Sequence, residues 1–564
     1  MKLSKQELAS LQCIYEGANS IMYRQDTSAY GVPVIVKLSK HVLPTPRQIV
    51  QFANEYALTR DLDLPGIRKA YETGTIDDRP ALILGYVEGE TVEQAFVAQR
   101  KSLADVLTIA TAVAQVLGAV HRHNIIHRNI NSHHILVNLE GQTATMIDFG
   151  LASRVDLKRR HLGIPEVVEG TLAYISPEQT GRMNRSVDHR TDLYSLGVVL
   201  YEMLAGRLPF DATDASELVH CHIARCPAPV CEVNVNIPEV VSDIVMKLMA
   251  KNAEDRYQSA FGLAADLVNC LHQLEETGTV QGFELAGEDF LERLEIPQKL
   301  YGREQEIQTL IQAFERVTRG ASEIVLVSGP AGAGKSLMVH ELDRFVAEKG
   351  GCFVSGNCDQ YRRNIPYDAP IRAFDELVNV LLTEGTNPLA QWKAKILEAI
   401  GDNGRVLIDV IPSLEWIIGR QPPVQKLSPA QSQQRFFSVS RDFVQIIAQK
   451  AHPLVFFFDD LQWMDVTSLD FLNLLMTDKN NHHLLFIGAY RDDQVGASYP
   501  LMQMVTDMEQ NALVINTLRL EDLSCDAVNL LLSDTLRCEP SEARSLADLV
   551  YEKTGGNAFF ATEF

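Results

Sequence analysis

The sequence predicts two successive folds, an α+β unit followed by an α/β unit with a parallel sheet and helices on both faces. Three observations predict this. Short strands and turns fill the first ~100 residues, and helices dominate from 190 to 275. A glycine- and acid-rich run, EETGTVQGFELAGED, then interrupts the pattern. After about Tyr301, apolar strands alternate with helices.

Composition sets the bounds. The 564 residues allow three to five units at roughly 100–200 residues each, or two large ones with subdomains. Hydrophobic content of 46% and charged content of 22% lie near globular averages, so large cores can be buried. A net charge of −22 removes the broad positive field that nonspecific nucleic-acid binding uses, and no nucleic-acid partner is expected. Nine cysteines include no CxxC pair. Cys221, Cys226 and Cys231 are evenly spaced, but around a Pro-rich turn, PAPV, and read as buried or free thiols rather than metal ligands. MKLSKQELAS lacks the apolar region of a signal peptide, and no apolar run reaches the ~18 residues of a membrane span. The expectation is a soluble cytoplasmic protein with reduced thiols.

Along the chain, a helix is expected around 46–61 and an apolar-periodic one over 103–123. DLYSLGVVLYEMLAG and VVSDIVMKLMAK have helical spacing. EIVLVSG, GCFVSGN, PLVFFFDD and LLFIGAY read as strands of the second unit, and the chain is helical again from about Leu520. The domain boundaries expected are 1–275, a linker at 276–299, a core at 300–519 and the start of a helical lid at 520–564. The stop at Phe564, straight after GGNAFFATEF, suggests a fragment with further C-terminal modules.

The strongest chemical signal is Gly329-Pro330-Ala331-Gly332-Ala333-Gly334-Lys335-Ser336, a phosphate-binding loop without mismatch. Its glycines let backbone N–H groups turn inward around phosphates. Lys335 supplies a point charge for the β- and γ-phosphates. Ser336 is expected to be a Mg²⁺ ligand at the start of a helix whose positive dipole end faces the anion. VLVS before the loop reads as a strand and LMVHELDRFVAE after it as a helix. At the end of PLVFFFDD, Asp459 is expected to hold Mg²⁺ through water and Asp460 to polarise the attacking water. Arg491, after LLFIGAY, can sense the γ-phosphate; a surface ion pair with Asp492 or Asp493 is an equal reading.

With LYGRE at 300–304, FFFDDLQWMD at 456–465, GAYRDD at 488–493 and TGGNAFF at 554–560, the segment 300–564 resembles the AAA-type signal-transduction ATPases called STAND proteins. The resemblance implies that LYGRE lies near the adenine and that the GNPF-like motif sits in the lid, where Ala558 replaces the motif's proline. It also implies a slow switch between ADP-bound closed and ATP-bound open states, with possible ATP-dependent oligomers.

In the first unit several signals recur in protein-kinase order. Lys37 ends Val34-Ile35-Val36-Lys37, and Glu55 lies on the following helix. Asp148-Phe149-Gly150 follows an apolar strand. Ser176-Pro177-Glu178 comes next, with Thr171 before it, then Asp192 in RTDLYSLG and Arg256 in KNAEDRYQSA. In this order, over about residues 7–273, the chain resembles bacterial Ser/Thr kinase heads that precede AAA ATPase modules. The resemblance implies a bilobal protein-kinase fold. Lys37, its partner Glu55, and Gly17 of the glycine loop would bind ATP, and Asp148 would bind metal. Glu178 would pair with Arg256.

The departures are as informative. Of the three usual loop glycines only Gly17 remains, with Tyr15 and Ser20 at the other positions. Asn129 stands where the family has its catalytic aspartate, and an amide cannot accept a proton at neutral pH. Asn131 replaces a lysine, and His134 replaces an asparagine that binds the second Mg²⁺; imidazole is a poor ligand for so hard a cation. Between Gly150 and Glu178, Ser153, Thr171 and Ser176 are the only hydroxyls besides Tyr174, and none sits where an activating phosphosite is expected. Arg128, which in kinases often pairs with such a phosphate, therefore lacks an obvious one. The basic run Lys158-Arg159-Arg160-His161 reads as solvated, with docking as the other reading.

These residues predict an ATP- and Mg²⁺-using signalling protein: a pseudokinase-like head coupled to an ATP-hydrolysing switch, with unidentified signalling proteins as partners. An active Ser/Thr kinase that tolerates Asn129 and a nucleotide-binding scaffold without turnover are the alternatives.

Overall fold

The computed structural model describes residues 8, 11–17, 19–26, 28–42, 44–99, 101–154, 170–181, 186–212, 215–287, 289, 296–297, 299–363, 365–382, 386–496, 499–510, 514–536 and 538–564. The basic run at 158–161 lies outside them. The chain divides into two compact units, Met1–Asp211 with Cys226–Arg293, and Ala212–Arg225 with Leu294–Phe564.

The first unit opens with a five-stranded antiparallel sheet. Its strands are β1 (Gln12–Glu16), β2 (Ser20–Gln25), β3 (Val34–Ser39), β4 (Ala70–Ile76) and β5 (Arg79–Gly85), in the order β1-β2-β3-β5-β4. β3 is buried throughout and sets Lys37 opposite Met22 and Leu82. The helix Pro46–Thr59 starts where Thr45 and Gln48 form a reciprocal capping box and Pro46 takes the first turn, whose N–H groups need no intrahelical partner. Below the sheet, helices take over. Leu103–Arg122 is capped by Ser102 and Asp105 and buries ten residues, among them Val106, Ile109, Val113 and Leu117. Contrary to the expectation that no stretch reaches spanning length, this helix alone among the described residues is long and apolar enough to cross a membrane. Its burial and its packing on Ala260–Thr277 make it a core helix of this unit. Arg190–Ala205 is buried at every position. A hairpin of β6 (Ile135–Asn138) and β7 (Thr143–Met146) carries the chain between the two segments that matter chemically, 127–134 and 148–150. This is the bilobal kinase fold.

The stretch after Thr277 is only partly a linker. The buried carboxylate of Asp289 accepts from the N–H of Gln258 (2.5 Å) and from the N–H and hydroxyl of Ser259 (2.8 and 2.7 Å). Gly262 leaves the room: a Cβ there would lie 2.3 Å from the Asp289 carboxylate.

The second unit is built on a five-stranded, wholly parallel sheet. Its strands are β8 (Ser322–Gly329), β9 (Cys352–Asn357), β10 (Leu454–Asp459), β11 (Leu484–Arg491) and β12 (Val514–Arg519), in the order β9-β10-β11-β8-β12. Alternate residues serve two cores. Ile324, Leu326, Phe456, Phe458 and Phe486 pack under the helices Asp368–Leu382 and Pro429–Ile447 on one face. Val325, Val327, Val455, Phe457 and Ile487 meet Glu304–Thr318 and Lys335–Glu348 on the other. The helices Cys525–Leu536, Pro540–Thr554 and Ala558–Glu563 form a lid with its own small core around Val528, Ala547 and Val550.

Candidate functional site

In the second unit the chemistry gathers at the C-terminal ends of the strands, where the switch in strand order of an open α/β sheet leaves a crevice for ligands. Register does the positioning. Gly329 at the end of β8 lies opposite Arg491 at the end of β11, and Asn357 at the end of β9 lies opposite Asp459 at the end of β10. Gly329, Gly332 and Gly334 have φ of 153°, 77° and 88°, so the loop uses glycine's freedom at each. At Gly329 a Cβ would also meet the Leu520 carbonyl at 2.5 Å. Lys335, buried at the start of its helix, donates to the carbonyls of Gly329 (3.0 Å) and Pro330 (2.8 Å). Burial lowers its pKa, against the pull of Asp459. Ser336 donates a short hydrogen bond to Asp459 Oδ2, and burial raises the Asp459 pKa in spite of that bond. A hydroxyl and a carboxylate held together at a helix N-terminus suit a hard, oxygen-seeking cation, so these residues fit Mg²⁺.

Arg491 pairs with neither of its two acidic neighbours in sequence. Its Nε lies 3.4 Å from Asp460 Oδ1, while Asp492 pairs with Arg519 at 3.3 Å. Gln462, buried and not singled out in the sequence, joins the two: its amide donates to Asp460 Oδ1 (2.6 Å) and its carbonyl oxygen accepts from the Arg491 N–H (3.1 Å). Its place three residues after Asp459 was the available signal. The lid reaches the loop despite Ala558. Asn557 donates to the Ala331 carbonyl (2.9 Å), and the Phe559 N–H to the Gly332 carbonyl (3.1 Å). Arg303 of LYGRE donates to the Ala333 carbonyl at 3.3 Å.

In the first unit Lys37 Nζ lies 2.6 Å from Glu55 Oε2 and 2.8 Å from Asp148 Oδ1. Burial acts against the Lys37 charge, but Asp148 and Glu55 outweigh it and hold the ammonium protonated. Burial likewise pushes Asp148 up, and Lys37 and His134 more than offset that, keeping it well below the usual carboxylate range. Asn54, beside Glu55, fixes the helix to the turn after Asp148: its amide donates to the carbonyls of Gly150 (3.0 Å) and Ala152 (2.7 Å). Gly17, at the tip of the β1–β2 hairpin, donates its N–H to the Ser20 carbonyl at 2.9 Å. A Cβ there would press on the Tyr15 ring at 2.8 Å.

The loop 127–134 hangs from buried Asp192, which accepts from the N–H groups of His127 and Arg128, both at 2.8 Å. Asn129 Oδ1 accepts from the N–H and the hydroxyl of Thr171, both at 3.2 Å. Asn131 donates to the Asn129 carbonyl and to Thr171 Oγ1, each at 3.2 Å. His134 Nε2 lies 3.4 Å from Asp148 Oδ2. Asp148 suits Mg²⁺; the imidazole beside it does not. Glu178 and Arg256 meet at 2.7 and 2.9 Å, both buried. Among the described residues no group of three or more His, Cys, Asp or Glu is arranged to hold a metal by itself, and Cys221, Cys226 and Cys231 are free thiols.

Comparison with known proteins shows which domain families the two units match. Residues 9–268 match the protein kinase domain family, and residues 299–487 match the AAA ATPase domain family. Hybrid signal transduction histidine kinase G of Dictyostelium discoideum is 31% identical over 500 residues, which cover 74% of this chain and 14% of that protein. That share exceeds either domain match, so the similarity reaches into both. A probable serine/threonine-protein kinase of Clostridium perfringens is 34% identical over 259 residues, 46% of this chain and 37% of its own length. Serine/threonine-protein kinase PknB of Mycolicibacterium smegmatis is 27% identical over 263 residues, 45% of this chain and 41% of its own length. The chain spans less than half the length of each of these relatives. It is a fusion of a protein kinase domain, at residues 9–268, with an AAA ATPase domain, at residues 299–487.

Proposed function

We propose that this chain is a cytoplasmic signalling protein in which a kinase-like head with an impaired catalytic loop is coupled to an ATP-hydrolysing switch of the STAND type. The observation that carries it is the contrast between the two sites. In the second domain the full set of phosphate, metal and water-directing groups converges on one sheet edge. In the first, Asn129, Asn131 and His134 replace a proton acceptor, a phosphate-steadying cation and a metal ligand.

In the ATPase domain, backbone N–H groups of 329–336 cradle the phosphates and Lys335 supplies charge to the β- and γ-phosphates. Mg²⁺, held by Ser336 and through water by Asp459, would neutralise charge that develops on the phosphates. Asp460 has Oδ1 engaged by Gln462 and Arg491, which orients the carboxylate to take the proton of the attacking water. Arg491, paired with that carboxylate, would sense the γ-phosphate and so report which nucleotide is bound. Asn557 and Phe559 tie the lid to the loop, so a change in the loop moves the lid.

A second reading, an active Ser/Thr kinase, draws support from the assembled Lys37–Glu55–Asp148 cluster. Phosphate release and protein autoradiography with labelled ATP separate the readings. Lys335→Ala should abolish most phosphate release, and Asp460→Asn should keep ATP binding while slowing turnover by about 10²-fold or more. Label transferred to protein at a useful rate, and lost with Asp148→Ala, would select the active kinase. Intact binding with no turnover at all would select a scaffold.

A further inference from the structure

We propose that Asp289 is a latch: it fastens the segment leading out of the kinase domain to the loop that holds the end of the activation segment, so that drawing the leading segment away loosens the activation segment. The proposal needs no chemistry in the kinase cleft. No residue of 279–287 is buried, and Val280, Phe283 and Leu285 are half-buried. What holds this stretch is polar. Buried Asp289 accepts from the N–H of Gln258 and from the N–H and hydroxyl of Ser259. The Ala286 N–H donates to Asp266 Oδ2 at 2.8 Å, and the hydroxyl of buried Tyr257 donates to the same oxygen at 2.6 Å. Both attachments therefore end on residues 257–259. A third, from the Gln281 N–H to Gln273 Oε1 at 2.9 Å, is exposed. The Asp289 carboxylate sits at the N-terminal end of Ala260–Thr277, where free N–H groups favour a negative charge. Charge-assisted bonds of this kind hold a segment, yet no packed core is opened when it leaves.

The loop 250–259 in turn clasps the activation segment. Its single 3₁₀ turn, Ala253–Asp255, leaves its position to be set by side-chain bonds. Arg256 reaches Glu178 at 2.7 and 2.9 Å and the Arg190 carbonyl at 3.1 Å. Gln258, whose N–H Asp289 holds, accepts from Arg190 Nη1 through Oε1 and donates through Nε2 to the Arg256 carbonyl, both at 2.8 Å. Thr191 donates to Glu178 Oε1 at 2.8 Å, and its hydroxyl lies 2.7 Å from Ser176 Oγ. One continuous set of hydrogen bonds thus runs from Asp289 to Ser176 and Glu178. Without the carboxylate, Ser259 still caps the helix through the Gly262 N–H at 2.9 Å, but the N–H groups of Gln258 and Ser259 lose this acceptor.

Gly262 offers a variant that opens the latch and leaves Asp289 in place. A Cβ there would lie 2.3 to 2.5 Å from the Asp289 side chain, while alanine suits a helix better than glycine. Asp289→Asn is the second variant, because its amide turns a donor towards a cluster of donors. The test is hydrogen exchange followed by mass spectrometry on the full chain. In both variants amides of 279–289, 251–259 and 172–180 should exchange at least about tenfold faster, with those of Leu103–Arg122 unchanged. Faster exchange in 279–289 alone would overturn the proposal, since the segment would then be attached without bearing on the activation segment. Unchanged exchange throughout would overturn it, and so would faster exchange in Leu103–Arg122, which would report a head that is unstable as a whole. An effect of Asp289→Asn that Gly262→Ala does not reproduce would also overturn it. Phosphate release from the same samples reads the ATPase proposal alone, so a failure there is distinguishable from a failure of the latch.

Discussion

Single residues decide whether the kinase cleft can do chemistry. Asn129 and Asn131 keep the shape of the loop, since both hold Thr171 in a closed hydrogen-bond frame, but they lack the proton acceptor and the cation that transfer uses. Roles that act as a unit combine non-additively. Asn129→Asp alone should therefore restore little transfer to a generic substrate. The triple change with Asn131→Lys and His134→Asn should gain on the order of 10²-fold or more, read as labelled protein. A full rescue by Asn129→Asp alone would show that the other two positions are immaterial. Glu178 makes a separate point. Burial disfavours its charge, and Arg256 more than compensates, which lowers its pKa. Arg256→Met leaves that carboxylate buried and unpaired, apart from the Thr191 hydroxyl at 2.8 Å, and should cost about 3–5 kcal/mol in urea unfolding. Adding Glu178→Leu should recover most of the loss. Residue types in order gave these pairs away in the sequence, whereas the partner of Arg491 stayed hidden. Arg491 and Asp460 are 31 positions apart and meet only because neighbouring parallel strands end side by side.

Among elements, the strands β8, β10 and β11 are central and buried on both faces, so each reads as a continuous apolar run. The edge strand β12 was missed. It pairs with β8 alone among the described strands, three of its six positions are exposed and the rest half-buried, and VINTLR carries too little apolar signal to mark it. Asp289 shows the converse: an acid at the end of a glycine-rich stretch is buried, held by the N–H of Gln258 and by the N–H and hydroxyl of Ser259, which no sequence pattern marks. The helix Lys335–Glu348 carries a testable strain. His340 sits against Phe353 and Phe457, ring centroids 5.5 and 5.2 Å away, and burial lowers its pKa to about 4. The unfolded chain takes up a proton near pH 6.5 and the folded one only near 4, so between these values the unfolded state binds more protons. Stability from this group is full above pH 6.5 and declines as pH falls towards 4, by roughly 1–3 kcal/mol. All three tryptophans, Trp392, Trp416 and Trp463, lie in the ATPase domain, so thermal unfolding followed by their fluorescence reports on it. His340→Phe should flatten the decline of Tm between pH 6.5 and 4.5; an unchanged slope would assign the pH dependence to other groups.

Over the whole molecule, the question is how many nucleotides the chain holds and which one it consumes. Each domain has its own cation for phosphates, Lys37 in one and Lys335 in the other, and its own carboxylate for metal, Asp148 and Asp459. Binding and turnover should therefore come apart. Titration calorimetry of the full chain with a non-hydrolysable ATP analogue should give two sites, the tighter in the ATPase domain, where loop, lid and Arg303 enclose the phosphate position. Lys335→Ala should remove the tighter site and nearly all phosphate release together. Lys37→Ala should remove the weaker site and leave phosphate release within about twofold. It deletes the ammonium hydrogen-bonded to both Glu55 and Asp148, so the acids left behind repel phosphate more strongly, as well as each other. A single site in the unsubstituted chain would mean that Gly17, alone among the usual loop glycines, cannot close the β1–β2 hairpin over a nucleotide. Two sites, with turnover lost in Lys37→Ala, would move hydrolysis into the head and reverse the division of labour between the domains.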